Sequence, residues 1–200
     1  MQPQTATTRS DAGPLLGALG ALGLTIAFVA YRRSKPRRGY QDGDKRAALA
    51  TYLRDHLAGA DSAIQIVQGL SNTYGGSPEG ALFESLSEQF REDRGVVEGL
   101  LTDLGDTSQS VKRLAGRATG SALRMVAGGA PGDLSLFRTL EALAIGVQGK
   151  RCLWQAGQAV GSLPHPRGRR SFLELEADAV RQWETINQHR LSLVPLTFRV

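Results

Sequence analysis

The sequence contains a single cysteine, Cys152, among its 200 residues. One thiol cannot form an internal disulfide, and a chain with one cysteine has no Cys-x-x-Cys pair to bind zinc or carry out redox exchange. The chain therefore suits a reducing compartment such as the cytoplasm, and we expect Cys152 to be an inert core residue.

Signature motifs of several enzyme classes are also absent. Glu-x-x-His, which two helices of a ferritin-like di-iron protein supply, occurs nowhere in the chain. Residues Tyr74–Ser77 include two glycines, but no Gly-Lys-Ser/Thr follows them, so they indicate a turn and a helix cap and not a phosphate loop. Since there is no nucleophile elbow either, the sequence predicts no cofactor and favours a non-catalytic protein, while leaving an enzyme open.

Aromatic residues make up only 6% of the chain, and its net charge of +5 is concentrated in one place. A near-neutral domain with few aromatics lacks the basic, aromatic-lined surface that nucleic acids require, so the sequence argues against nucleic acid as a partner. A second basic cluster, residues 165–170, is expected to be a solvated loop. The cations that account for the whole excess charge are Arg32, Arg33, Lys35, Arg37 and Arg38.

Long apolar runs are scarce, but one uncharged stretch covers residues 13–31, close to the roughly 20 residues that cross a bilayer. We expect a single-pass anchor in the cell membrane, preceded by a disordered N-terminus at 1–12 and followed by a basic linker at 32–43. The positive-inside rule places the N-terminus outside and the following domain in the cytoplasm. A cleaved signal peptide and a leader that is not inserted are the alternatives.

The same N-terminal region allows two kinds of partner besides the bilayer core. The basic block could bind anionic lipid headgroups, although it could equally be only a topology signal. The pairs Gly17–Ala21 and Gly23–Ala27 have the small-xxx-small spacing that lets membrane helices touch. A homo-oligomer and an unknown protein partner both remain open.

Beyond the linker, apolar residues repeat at helical spacing and no segment shows sustained strand alternation. This predicts an all-α domain over residues 44–190: an antiparallel four-helix bundle of two hairpins joined by a crossover, with ferritin-like connectivity. We expect the last residues, 191–200, to form an extended tail. The predicted helices cover residues 44–72, 77–104, 133–160 and 171–190, with a short crossover helix at 109–126.

Two polar residues interrupt the apolar stripes of the first hairpin. His56 lies in the first stripe and Asp93 in the second, and both are about equally far from the turn near Gly75. Burying either one alone would be costly. We therefore expect a buried His56–Asp93 pair, with a metal-ligand pair as the alternative.

Further carboxylates and a histidine extend that alternative to a candidate metal site. The spacing argues against it, because Glu184 and His189 are five residues apart and do not share a helix face. We favour surface salt bridges of the glutamates on the second helix with Arg91 or Arg94, and a contact of Lys150 or Arg151 with Glu176. The candidate metal ligands are His56, Glu88, Glu92, Asp93, Glu141 and His189.

Three stretches resemble a group of uncharacterised bacterial ferritin-like proteins: residues 52–60, residues 92–94 and residues 140–154, which read Leu-Glu-Ala-Leu-Ala-Ile-Gly-Val-Gln-Gly-Lys-Arg-Cys-Leu-Trp. The resemblance covers about residues 46–190 and leaves out the anchor. It implies a helical bundle without the full iron-ligand set, and it implies no established activity.

These observations favour a membrane-tethered, non-catalytic helical bundle that acts through protein–protein contact or self-association. A metal-binding ferritin-like oxidoreductase with a non-standard ligand set is the main alternative. Binding of anionic lipid through the basic block is the second.

Overall fold

The computed structural model describes residues 42–106, 132–160 and 170–198, and the regular secondary structure of these ranges is α-helical, with no strand. The predicted all-α class is confirmed. The predicted anchor at 13–31, the basic block at 32–38 and the short helix at 109–126 lie outside the described residues. Within the described ranges, no helix is long and apolar enough to cross a bilayer. The helices are α1 (Asp42–Thr73), α2 (Pro78–Asp103), α3 (Asp133–Ala159), α4 (Phe172–Ser192) and α5 (Val194–Phe198).

A four-residue turn joins α1 to α2 and makes the first hairpin. Gly76 takes a positive φ of 80°, and Ser77 then caps α2 by accepting a hydrogen bond from the Gly80 N–H at 3.2 Å. Pro78 occupies the first helical position, where its missing N–H costs nothing. Gly80 is buried directly against the carbonyl of Tyr74, so a side chain at that position would collide with backbone. The turn is therefore tight because of glycines at two specific positions.

The second hairpin, α3 with α4, is closed by a capping box and a close ring contact. The Ser171 hydroxyl accepts a hydrogen bond from the Glu174 N–H, while the Glu174 carboxylate accepts one from the Ser171 N–H. The ring of Phe172 lies over Gly157, where a Cβ would be only 2.7 Å from the ring. Glycine at 157 therefore lets the end of α3 approach the start of α4.

Contacts between helices fix their relative directions. Phe83 and Asp93 of α2 contact His189 and Gln182 of α4, so the residue numbers run in opposite senses and the two helices are antiparallel. On α4, the partners of Arg190 and Gln182 are Glu141 and Lys150 of α3, which are antiparallel as well. It follows that α2 and α3 run in the same direction, with antiparallel neighbours on either side.

The apolar stripes of all four long helices meet in one core. Trp154, Phe83, Leu53 and Leu140 are completely buried there, and burial of such side chains contributes about 1.5–3 kcal/mol each. The further members of this core include Leu57, Val67, Leu86, Leu100, Leu101, Leu143, Val147, Leu175, Ala179 and Ile186.

The C-terminal segment differs from the extended tail that we expected. Val194–Phe198 forms the short helix α5, in which the Thr197 N–H donates to the Leu193 carbonyl at 2.8 Å. Phe198 rests edge-on against Phe137 of α3, with ring centroids 5.3 Å apart. A helical turn satisfies backbone groups that a lone strand would leave without partners, which explains the difference.

Candidate functional site: a buried charged cluster

The most unusual feature of the core is the carboxylate of Asp93 on α2, which is only 2% exposed. Its Oδ2 accepts hydrogen bonds from the Lys150 ammonium of α3 at 2.7 Å and from the Gln182 amide of α4 at 3.2 Å. The Lys150 ammonium also donates to the Gln182 amide oxygen. Three helices therefore contribute one side chain each to a single buried hydrogen-bonded group.

Arg170, directly before the capping box, covers the outer side of this cluster. Its guanidinium is 3.4 Å from Asp93 Oδ1 and 2.9 Å from Asp178 Oδ2, and it approaches the exposed Glu92 at 3.6 Å. Arg181 contacts Asp178 in turn. Both oxygens of Asp93 are thus occupied by donors, and charges of opposite sign alternate from the core out to solvent.

Burial dominates the electrostatics of Lys150. Removal from water lowers the pKa of its ammonium below the ordinary lysine value, while the neighbouring Asp93 raises it and partly compensates. The ammonium also lies 4.5 Å from the centre of the Phe90 ring, a favourable cation–π position. The pair persists because its groups are mutually hydrogen-bonded; removing one of them would leave the other buried and uncompensated.

The predicted His56–Asp93 pair was wrong, because Asp93 has these other partners. The contacts Arg94–Asp61 and Arg54–Asp106 define the register of the hairpin and place Asp93 nearly level with Asp61, more than a helical turn from His56. His56 instead packs edge-on against Tyr52, with centroids 4.6 Å apart. Burial lowers the pKa of its imidazole, and Asp55 opposes that shift.

The other candidate metal ligands are dispersed. Glu92 faces Arg170, Glu141 lies 3.8 Å from Arg190, and the His189 ring contacts Phe83 at 5.7 Å between centroids. Glu88 lines an outer groove between α1 and α2. In the part of the chain that the structure describes, no three His, Cys, Asp or Glu side chains come close enough to hold a metal ion.

The surface ion pairs differ in part from those expected. Arg94 binds Asp61 across the hairpin at 2.5 Å and Glu98 along its own helix at 2.8 Å, and not Glu88 or Glu92. The expected contact of Arg151 with Glu176 is present at 3.2 Å.

Glu176 also accepts hydrogen bonds from Gln155 and Gln158. Hydrogen bonds from these two amides, followed by the one from Arg151, lower the pKa of its carboxyl group.

Two further expectations need correction. Cys152 is exposed and not a core residue, because it falls on the solvent side of α3 while its neighbours Leu153 and Trp154 point inward. Arg170, the last residue of the cluster expected to be a solvated loop, is drawn partly inward by Asp93 and Asp178.

The sequence indicated that Asp93 is buried, but it did not indicate which residues contact it. Gln182 carried a usable signal, since it continues the helical spacing of Leu175 and Ala179 to Ile186 and is buried with them. For Lys150 the only signal was its position beside core residues of α3, and for Arg170 the sequence carried no signal.

Comparison with known proteins found no relative: no protein-family model, no curated protein and no solved structure matches the chain.

Proposed function

We propose that the protein is a membrane-tethered, non-catalytic helical bundle of ferritin-like type that acts by contacting other protein chains. The observation that carries the non-catalytic part of this proposal is the Lys150–Asp93 pair, 2.7 Å apart and buried inside the bundle. A ferritin-like metalloenzyme directs carboxylates and histidines inward to this region to hold its metals. Here an ammonium neutralises the inward carboxylate, which favours a structural interior.

The directions of the helices support the ferritin-like part of the proposal. The second and third long helices run parallel, whereas they would run antiparallel in a simple up-down-up-down bundle. Parallel orientation of these two helices is typical of ferritin-like bundles.

The tether is proposed from the sequence, since residues 13–31 lack charge and a basic block follows them. In this arrangement the bundle lies on the cytoplasmic side, close to the membrane surface. A near-neutral bundle held there would mainly meet partner proteins that are themselves bound to the membrane.

Membrane fractionation combined with cross-linking in intact cells tests the proposal. The full-length chain should remain with membranes after an alkaline carbonate wash and form a discrete cross-linked species. A matched chain lacking residues 13–31 should move to the soluble fraction. Release of the full-length chain by carbonate would contradict the tether, and failure to cross-link to any protein would contradict the interaction role.

Metal analysis of the same purified chain tests the catalytic alternative. Stoichiometric iron or manganese that disappears in a Glu141→Ala or His56→Ala variant would overturn the proposal of a non-catalytic interior.

A further inference from the structure

The outer side of the first hairpin carries a groove of about 420 Å³ between α1 and α2. This volume lies within the roughly 300–1,000 Å³ that small-molecule sites occupy, but every side chain that lines the groove is polar, which disfavours an apolar ligand. None of the lining residues belongs to the cluster around Asp93. They are Gln68, Ser71 and Asn72 on α1, and Glu84, Ser87, Glu88 and Arg91 on α2.

Three charged side chains of this groove have no ion-pair partner in the described part of the chain. Glu84, Glu88 and Arg91 are exposed, and none of them pairs with any residue in the ranges 42–106, 132–160 or 170–198. The neighbouring Arg94 does bind Asp61 across the hairpin, so this side of α2 has ion pairs where the fold provides them. Glu84 and Glu88 are four residues apart, and like charges at that spacing repel each other. A cationic ligand would relieve this repulsion.

The floor of the groove gives a second indication of a polar ligand. The Ser87 side chain is only 3% exposed, and its hydroxyl oxygen has no hydrogen-bond partner among the described residues. Buried hydroxyl groups in folded proteins are nearly always hydrogen-bonded, so this one is unusual. Ser87 lies beneath the exposed charges and is not itself a ligand contact. It shows that the polarity of the groove is not used by the bundle.

The order of the three exposed charges along α2 matches that of a basic amino acid. Glu88 lies three residues before Arg91, and Glu84 one turn before Glu88, which gives spacings of about 4.5 Å and about 6 Å along the helix axis. In free lysine, a carboxylate and an α-ammonium share one carbon, and a four-carbon stem carries the ε-ammonium further away. The carboxylate then faces Arg91, the α-ammonium faces Glu88, and the ε-ammonium faces Glu84. Each charge of the groove and of the ligand meets one opposite charge.

Helix α1 supplies neutral hydrogen-bonding groups on the opposite wall. Because α1 and α2 are antiparallel, counting from the ion pair of Arg94 with Asp61 places Ser71 level with Glu84, and Asn72 follows it in the groove. Hydroxyl and side-chain amide oxygens accept hydrogen bonds from ammonium groups. The end of the groove at Glu84 therefore suits the ε-ammonium in hydrogen bonding as well as in charge.

We propose that this groove is a binding site for a free basic amino acid of the lysine type. The inference goes beyond the proposed interaction role and does not depend on it. Charge and spacing select the ligand together. A divalent cation or a diamine has no carboxylate for Arg91, a neutral amino acid has no cation for Glu84, and an acidic amino acid would place a second carboxylate against Glu84.

Titration of the full-length chain in detergent micelles with L-lysine, followed by NMR, tests the site. L-Lysine should shift the backbone amide signals of residues 68–72 and 84–91 saturably. Glu84→Gln should weaken L-lysine binding by about three- to fivefold, the effect of losing one partly exposed ion pair. Glu184→Gln is the matched control, because it removes the same charge from an exposed position on α4, and it should leave the affinity unchanged.

Two analogues of lysine assign the individual contacts. Norleucine lacks the ε-ammonium, so it should bind more weakly than L-lysine, and Glu84→Gln should not weaken it further. Cadaverine lacks the carboxylate, so Arg91→Gln should weaken the binding of L-lysine by about three- to fivefold but not that of cadaverine.

Absence of a saturable shift with L-lysine, or shifts that lie outside residues 68–72 and 84–91, would overturn the site. Equal losses in Glu84→Gln and Glu184→Gln would overturn it too, since they indicate non-specific attraction to the surface of the bundle. Norleucine binding that Glu84→Gln weakens as much as L-lysine binding would overturn the assigned orientation of the ligand. Cross-linking to other proteins is measured separately, so a failure of this site is distinguishable from a failure of the proposed function.

Discussion

Helix α2 carries charges on two of its faces, and the fold treats the two faces differently. On the inner face, Asp93 is buried and receives hydrogen bonds from Lys150, Gln182 and Arg170. On the outer face, only a few residues earlier in the chain, Glu84, Glu88 and Arg91 have no ion-pair partner among the described residues. On the same helix, the buried carboxylate thus has donors at both of its oxygens, whereas these exposed charges have no ion-pair partner among the described residues.

This difference follows from the cost of desolvation. A buried carboxylate must be fully hydrogen-bonded or the fold loses several kcal/mol, whereas exposed charges remain hydrated and cost almost nothing when they lack a partner. Charges on the outer face therefore stay hydrated and contribute little to stability, while those on the inner face hold the helices of the bundle together. Three sets of substitutions on the first hairpin test how much its interior and its surface each contribute to stability.

The largest effect is expected from Asp93→Ala on the inner face. It removes the carboxylate shared by Lys150 and Arg170 and leaves a cation buried, so the free energy of unfolding should fall by about 3 kcal/mol. Urea denaturation followed by circular dichroism measures it. Glu92→Ala is the matched control, because Glu92 is 66% exposed and should change stability by less than about 0.5 kcal/mol. If both variants lost the same free energy of unfolding, the inner and outer faces of α2 would not differ as described.

A smaller effect is expected from glycine substitutions in the same helix. Gly80→Ala should destabilise the fold by about 1–3 kcal/mol, because the new methyl group meets the backbone of Tyr74. Gly95→Ala points into open space and should stabilise α2 by about 0.5–1 kcal/mol through helix propensity. Thermal melting of both variants gives the comparison, and a stable Gly80→Ala chain would show that the turn is looser than described.

The smallest effect is expected at His56, a partly buried side chain of α1 that is not part of the hydrogen-bonded cluster around Asp93. Because burial lowers its pKa in the folded state, the unfolded chain takes up the proton first as the pH falls through about 6.5. Stability should therefore decline from that pH downward until the folded state is protonated as well, and His56 should contribute nothing above it. Unfolding free energies at pH 8, 6.5 and 5 should show a flatter profile for His56→Gln than for wild type. Parallel profiles would contradict burial as the cause.

The helices were predictable because their signals are local. Ser77-Pro78 and the Ser171–Glu174 capping box mark starts that depend only on nearby backbone groups, and Gly105, with a φ of 77°, marks an end of the same kind. Each of these signals can be recognised from residues within about one helical turn of the boundary that it marks.

The candidate site was predictable only in part, because its contacts are not local. The position of Asp93 in an apolar stripe indicated a buried charge, but its partners lie 57 and 89 residues away. Pairing by equal distance from the turn at Gly75 failed because the hairpin register is offset, as the Arg94–Asp61 contact shows. Long side chains such as Lys150 also reach across a bundle in ways that helix-face spacing does not capture.

The assembly of the core from two hairpins has a consequence for the rates at which the chain folds and unfolds. Each hairpin is built from contacts that are close in sequence, which form early, whereas Asp93 meets Lys150 and Gln182 only when the hairpins dock. We therefore expect the cluster to be absent from the folding transition state. Loss of Asp93 should then accelerate unfolding and leave the folding rate almost unchanged, so the buried charges set how long the folded bundle lasts.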